Sequence, residues 1–193
     1  SAAYFIAAGL LVPCSEILSK NGGTNPTSDG ILRVCRQMGA DIQLLDQKEH
    51  CQEPAADILV RYSSLKGTEI HGELIPTLID ELPVIAVMAA FAEGTTVIRD
   101  AQELKVKESN RLDIMVRHLQ AMGADVTPTE DGMIIRGGTP LHGATLDSHL
   151  DHRIAMSFAV AGLAAQGETK ITRADCVNIS YPRFYEDLQS LQH

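Results

Sequence analysis

The 193-residue sequence predicts an α/β fold of pseudo-threefold build, with helices buried at the centre and sheets outside. Three stretches, Ala2–Val12, Leu78–Ala92 and Asp151–Ala165, are apolar around most of the helical circumference. Helices of that kind do not lie on a surface and must pack inside a ring of other elements. Each is followed by a turn and a short strand, and the pattern returns after about 70 to 80 residues. Aromatic residues make up only 4% of the chain and Trp is absent, so the core is aliphatic, as suits helix packed on sheet.

The elements follow in order. Ala2–Val12 leads through Pro13-Cys14 to the strand Glu16–Ser19. Leu78–Ala92 leads through Glu93-Gly94 to Thr95–Arg99, and Asp151–Ala165 through Gln166-Gly167 to Glu168–Thr172. A second half of the unit also recurs. Asp29–Met38 and Ser109–Met122 have apolar residues spaced three and four apart, and each ends in Met-Gly-Ala-Asp. The glycine stands where a helix needs a left-handed C-terminal residue. Strands follow at Ile42–Leu45 and Asp57–Tyr62 in one copy, and at Val126 onward and Gly132–Arg136 in the other. The unit is therefore helix–strand–helix–strand–strand. The third copy stops after its strand, and Pro182–Leu191 adds a last short helix. No GxGxxG or GxxxxGK[ST] pattern follows any strand, which disfavours a doubly wound nucleotide fold.

At 193 residues the chain fits one domain or two small ones, and the apolar fraction of 45% is enough for a real core. A net charge of -9 argues against a nucleic-acid partner. The cysteines at 14, 35, 51 and 176 show no CxxC spacing, so neither a disulfide frame nor a metal site is expected, and a reducing, cytoplasmic setting is. The apolar start is too short to span a membrane and lacks the basic flank of a signal peptide. It begins abruptly in core sequence at Ser1, as a fragment of a longer protein would.

Two charged clusters carry chemistry. Lys105, Lys107 and Arg111 surround Glu108 at the point where a loop turns into a helix. Cations, a proton carrier and a helix N-terminus together make an anion site with acid/base capacity. With no anion present, these cations are expected to face one another. The second cluster, Asp151-His152-Arg153, opens an apolar helix with Asp151 as its cap.

Lys105-Val-Lys-Glu-Ser-Asn-Arg111 resembles the RVKESDR motif of the 5-enolpyruvylshikimate-3-phosphate synthase family, and Asp151-His-Arg-Ile-Ala-Met156 resembles its DHRxAM motif. Leu74–Pro83 is similar to its IPxLIDEIP segment, and Ser1–Phe5 and Asn25-Pro26-Thr27 fit as well. The resemblance implies an inside-out α/β barrel domain of enolpyruvyl transferase type. It implies that residues 1–193 form a single domain, the C-terminal one of two, with the third unit completed by the N-terminus of the longer protein. It further implies transfer of a carboxyvinyl group from phosphoenolpyruvate to the 5-hydroxyl of shikimate 3-phosphate, within aromatic amino acid biosynthesis. No cofactor or metal is implied. The expected partners are the two substrates and the missing N-terminal domain, in a cytoplasmic monomer with no membrane or nucleic-acid role. The isolated chain is expected to be inactive or nearly so.

By position, Asp80 resembles the carboxylate that contacts the shikimate hydroxyls and is a candidate base. Glu108 resembles the carboxylate of proton transfer at the methylene carbon, and Lys107 the lysine near the target hydroxyl. Arg111 and Arg153 resemble the arginines that clamp phosphoenolpyruvate, a task suited to a planar guanidinium. Glu103 and His152 are candidate substrate contacts. Asn110 stands where the family often has Asp, and Ile179 where some members carry a lysine. The related UDP-N-acetylglucosamine carboxyvinyl transferase and a non-catalytic module of the same fold are the alternatives.

Overall fold

The computed structural model describes residues 2–19, 29–50, 53–179 and 181–190. Asn25-Pro26-Thr27, Cys51 and Ser180 lie outside them. The first unit comprises α1 (Ala3–Leu11), β1 (Glu16–Ser19), α2 (Asp29–Gln37), β2 (Asp41–His50) and β3 (Glu53–Arg61). The second comprises β4 (Glu69–Ile70), α3 (Leu74–Leu78), α4 (Leu82–Phe91), β5 (Thr95–Ile98), α5 (Arg111–Ala121), β6 (Asp125–Pro128) and β7 (Met133–Arg136). The third comprises β8 (Thr145–Asp147), α6 (His152–Ala164), β9 (Lys170–Thr172) and α7 (Phe184–Gln189). Single 3-10 stretches at Gln102–Val106 and Ala174–Ile179 complete it.

Helices α1, α4 and α6 pack on one another at the centre, as their all-round apolar sequences require. Nine of the ten residues of α4, from Leu82 to Ala90, are buried. The sheets form the outer layer. The first has the order β1-β3-β2 and the second β4-β5-β7-β6, so β1, β3 and β2 correspond to β5, β7 and β6. In both, the last two strands of the unit pair antiparallel, Ile42 opposite Val60 and Val126 opposite Ile135. The third sheet, β8-β9, is parallel, as is the β4–β5 pair.

Three expectations need correction. The helix expected over 78–92 starts only at Leu82, because Pro83 lacks an N–H and fits only the first turn of α4, and Leu78 ends a separate short helix, α3. The short parallel strands β4 and β8 open their units and were not foreseen. A two- or three-residue strand has too little alternation to register. The strands β2 and β3 run longer than expected, over ten and nine residues.

The turns repeat as closely as the elements do. After α4 and α6, Gly94 and Gly167 take φ of +87° and +83°. At the equivalent turn after α1, Cys14 adopts +62°. Gly67 donates to Glu93 O and Gly143 to Gln166 O, each at 2.7 Å. These bonds lock the start of a parallel strand to the end of the helix that follows it. Among the described residues no helix is long and apolar enough to cross a membrane, and no group of His, Cys, Asp or Glu is arranged to hold a metal.

Candidate active site

The N-terminal ends of α4, α5 and α6 meet at one rim. Asp80 and Glu81 occupy the break between α3 and α4, Asn110 caps α5, and Asp151 caps α6. Three helix N-termini together place partial positive charge on one patch.

Arg111, the first residue of α5, is the hub, and it is only 1% exposed. Its Nε donates to Asp151 Oδ2 at 2.8 Å and its Nη2 to Asp151 Oδ1 at 3.2 Å, a fork matched to a fork. Nη1 donates to Asp80 Oδ1 at 3.2 Å, and Nη2 also pairs with Glu108. Four N–H directions of Arg111 thus end on carboxylates of the protein itself.

Asp151 is fully buried. Besides Arg111 it accepts Ser109 Oγ at 2.8 Å and the backbone N–H groups of Arg153 and Ile154 at 3.0 and 3.4 Å. Burial opposes its ionisation, but the hydrogen bonds from Arg111 and Ser109 outweigh it and hold the carboxyl below its ordinary range. Asp151 is therefore more than the cap the sequence indicated. It ties the second unit to the third through a residue 40 positions away.

The cations do not face one another as expected. Lys105 turns away and donates to Glu130 O at 2.6 Å. Lys107 lies 3.3 Å from Glu103 and 3.8 Å from Asp80. Carboxylates of the chain supply the anions that would otherwise have to come from outside. Arg153 is the least committed of the group: its Nη1 reaches Asp80 O at 3.5 Å and lies 4.0 Å from Glu81. His152, in the first turn of α6, is half-buried and makes no hydrogen bond to this network among the described residues.

Asp80, Lys107, Glu108, Arg111 and Arg153 therefore stand within one connected cluster, with Glu103 attached through Lys107. Asp80 and Glu108 keep about half their side-chain surface open, at 45% and 55%. The arrangement offers two accessible carboxylates on one guanidinium, Asp80 at Nη1 and Glu108 at Nη2, and a second, more loosely held guanidinium, that of Arg153. Residues missed from the sequence are Ser109, Glu81 and Tyr4. Tyr4 sits in an apolar stretch that hid it, Glu81 stands next to Asp80, which took the reading, and Ser109 lay within the charged motif.

The approach to the cluster carries backbone strain. His149 and Leu150, just before Asp151, take φ of +54° and +58° in succession. Leu150 is also 61% exposed, so its side chain contributes little packing to offset that conformation. Leu150→Gly is expected to raise stability by about 1 kcal/mol, read as a higher urea midpoint, because glycine adopts this region without steric cost.

The family model for EPSP synthase (3-phosphoshikimate 1-carboxyvinyltransferase) matches residues 1–188. The chain belongs to the EPSP synthase family. Two relatives named 3-phosphoshikimate 1-carboxyvinyltransferase, from Synechococcus sp. (strain JA-3-3Ab) and Thermoanaerobacter sp. (strain X514), are 57% and 59% identical over 191 residues. Each alignment covers 99% of this chain but only 43% and 45% of the relative, so the chain spans less than half the length of these EPSP synthases. The solved EPSP synthase from Acinetobacter baumannii superposes with a TM-score of 0.90 at 40% identity, over 98% of this chain and 44% of that one. The enolpyruvyl transferase NikO from Streptomyces tendae shares the fold, with a TM-score of 0.73 at 22% identity over 99% of this chain and 42% of that one. The α/β enolpyruvyl transferase fold expected from the EPSP synthase motifs is thus the fold observed.

Proposed function

We propose that this chain is the C-terminal domain of a 3-phosphoshikimate 1-carboxyvinyltransferase and supplies one wall of its active site. The observation that carries this is the convergence of Asp80, Lys107, Glu108, Arg111 and Arg153 in a chain of this family. In the reaction, the 5-hydroxyl of shikimate 3-phosphate bonds to the central carbon of phosphoenolpyruvate as the methylene carbon gains a proton. Loss of that proton with departure of phosphate then regenerates the double bond. Asp80, with Lys107 at 3.8 Å, takes the hydroxyl proton. Glu108 serves the methylene carbon as acid and then as base, a dual role suited to a carboxyl group with an exposed edge. Arg153 grips the carboxylate or phosphate of phosphoenolpyruvate, and Arg111 offers its remaining N–H while fixing both catalytic carboxylates. Glu103 orients Lys107, and His152 borders the ligand.

The other wall belongs to the N-terminal domain, and the assembled enzyme is a cytoplasmic monomer that needs no cofactor. A groove of about 500 Å³ beside β9, lined by Phe158, Leu163, Ile171, Tyr185 and Leu188, supports this reading. It lies where the repeat calls for the counterparts of β7 and β6, and strands from the longer protein would fill it.

The chain alone should give no turnover, whereas the chain joined to the N-terminal domain should release phosphate from the two substrates. In that assembled enzyme, Glu108→Gln should lower kcat by about 100-fold. Robust turnover by the chain alone would sink the proposal.

A further inference from the structure

Arg153 is held very differently from Arg111. Its contact with Asp80 O is at the limit of hydrogen bonding, at 3.5 Å, and Glu81 Oε1 stands 4.0 Å from its Nη1. Glu81 is itself largely enclosed, with 17% of its side chain exposed, against 45% for neighbouring Asp80. A half-desolvated carboxylate turned to the inner side of the rim makes no sense as a solvated helix-start acid. Burial holds it above the ordinary carboxylate range, against the pull of Arg153.

Beneath the same arginine lies Tyr4, from α1. It is 1% exposed, its ring packs edge-on against Phe184 at 5.7 Å, and its hydroxyl meets the Arg153 side chain without reaching full hydrogen-bond geometry. Arg153, Glu81 and Arg111 all lie close enough to act on that hydroxyl electrostatically. A buried hydroxyl with no better partner than this is costly, so its place needs a reason. The group that reaches it is Arg153.

We propose that Glu81 and Tyr4 are positioning residues for Arg153. They form a seat under the guanidinium, with the Glu81 carboxylate behind Nη1 and the Tyr4 hydroxyl below. The opposite edge of the guanidinium is left to face an incoming carboxylate or phosphate. When an anion draws Arg153 forward, Glu81 restrains it from behind and Tyr4 accepts a donor that the ligand does not use. Binding strength at Arg153 is then set by two side chains that never touch the ligand. The identity of the anion as phosphoenolpyruvate rests on the proposed function, but the seat itself does not.

The test reads the arginine directly. The Nε–Hε signal of Arg153 in the 15N-labelled chain is compared among wild type, Glu81→Gln, Glu81→Asp and Tyr4→Phe. Wild type should give a resolved signal. Glu81→Gln should broaden it and speed its exchange with water by about 10-fold, Glu81→Asp should restore part of the loss, and Tyr4→Phe should shift it. The Arg111 signal is the internal reference and should stay in place, since Asp151 holds it. An Arg153 signal unmoved by both Glu81→Gln and Tyr4→Phe, each folded by circular dichroism, overturns the seat. If Glu81→Gln does not fold, Tyr4→Phe alone decides. In the assembled enzyme, Glu81→Gln should raise KM for phosphoenolpyruvate about 10-fold with little change in kcat or in KM for shikimate 3-phosphate. A responsive Arg153 signal in an enzyme without carboxyvinyl transfer would leave the seat standing and remove the proposed function instead.

Discussion

Asp151→Asn is expected to destabilise the fold by about 3–5 kcal/mol, because it leaves a buried guanidinium without its counter-charge. Five donors converge on the Asp151 carboxylate: two from Arg111, one from Ser109 and two backbone N–H groups of α6. An amide offers one oxygen in place of two and turns an N–H2 toward Arg111 or Ser109, where a donor meets a donor. Asp80 and Glu108 still face Arg111, but both are about half exposed, so solvent screens their attraction. The loss should appear as a lower urea midpoint at unchanged slope.

The same variant has a pH signature. The folded carboxyl of Asp151 lies below its unfolded value of about 3.9. Its contribution is therefore fully present above that value and is lost as pH falls through the lower folded value. The gap between wild type and Asp151→Asn should stay constant near neutrality and shrink only in strong acid. A gap that closed around neutral pH would mean that a different group sets it.

Gly143→Ala should cost about 3 kcal/mol, and Gly67→Ala about as much, through overpacking against backbone. A methyl group at Gly143 would stand 2.0 Å from Glu168 O, and at Gly67 2.3 Å from Thr95 O. Both obstacles are backbone carbonyl oxygens, that of Thr95 in β5 and that of Glu168 just before β9, which cannot swing aside as a side chain would. Gly39 provides the contrast. Nothing lies within 4 Å of its absent methyl, and only its φ of +80° opposes substitution. Gly39→Ala should cost about 1 kcal/mol. Thermal unfolding of the three variants checks the order, and equal losses would refute the steric account.

The legible part of this fold was what local sequence dictates. Leu82–Phe91 has no polar face, so it declared itself buried; Met122-Gly123 and Met38-Gly39 declared two helix ends. The strands β4 and β8 were illegible as strands, because Glu69-Ile70 and Thr145–Asp147 are too short for alternation. Their trace was there in the matching Leu65-Lys66-Gly67 and Leu141-His142-Gly143, where the glycines are needed for close approach. The site divided in the same way. Lys107, Glu108 and Arg111 were visible as a dense charged run at a helix start. The second role of Asp151 was hidden, since capping already explained it and its partner is 40 residues distant. Tyr4 lay in a stretch read as buried helix, and only the packing of α1 against α6 brings it under Arg153.

The two-stranded sheet has one further consequence, for how the chain behaves in solution. Among the described residues, β9 pairs on one side only, with β8. An open edge is a template on which other chains can add. Here the edge is three residues long and carries Lys170, which is exposed. So short a ladder offers few backbone groups to an intruding strand, and a lysine repels a second copy of itself. The region therefore gives a poor start to stacking copies edge to edge. Resistance to aggregation here comes from brevity and charge, not from covering the edge.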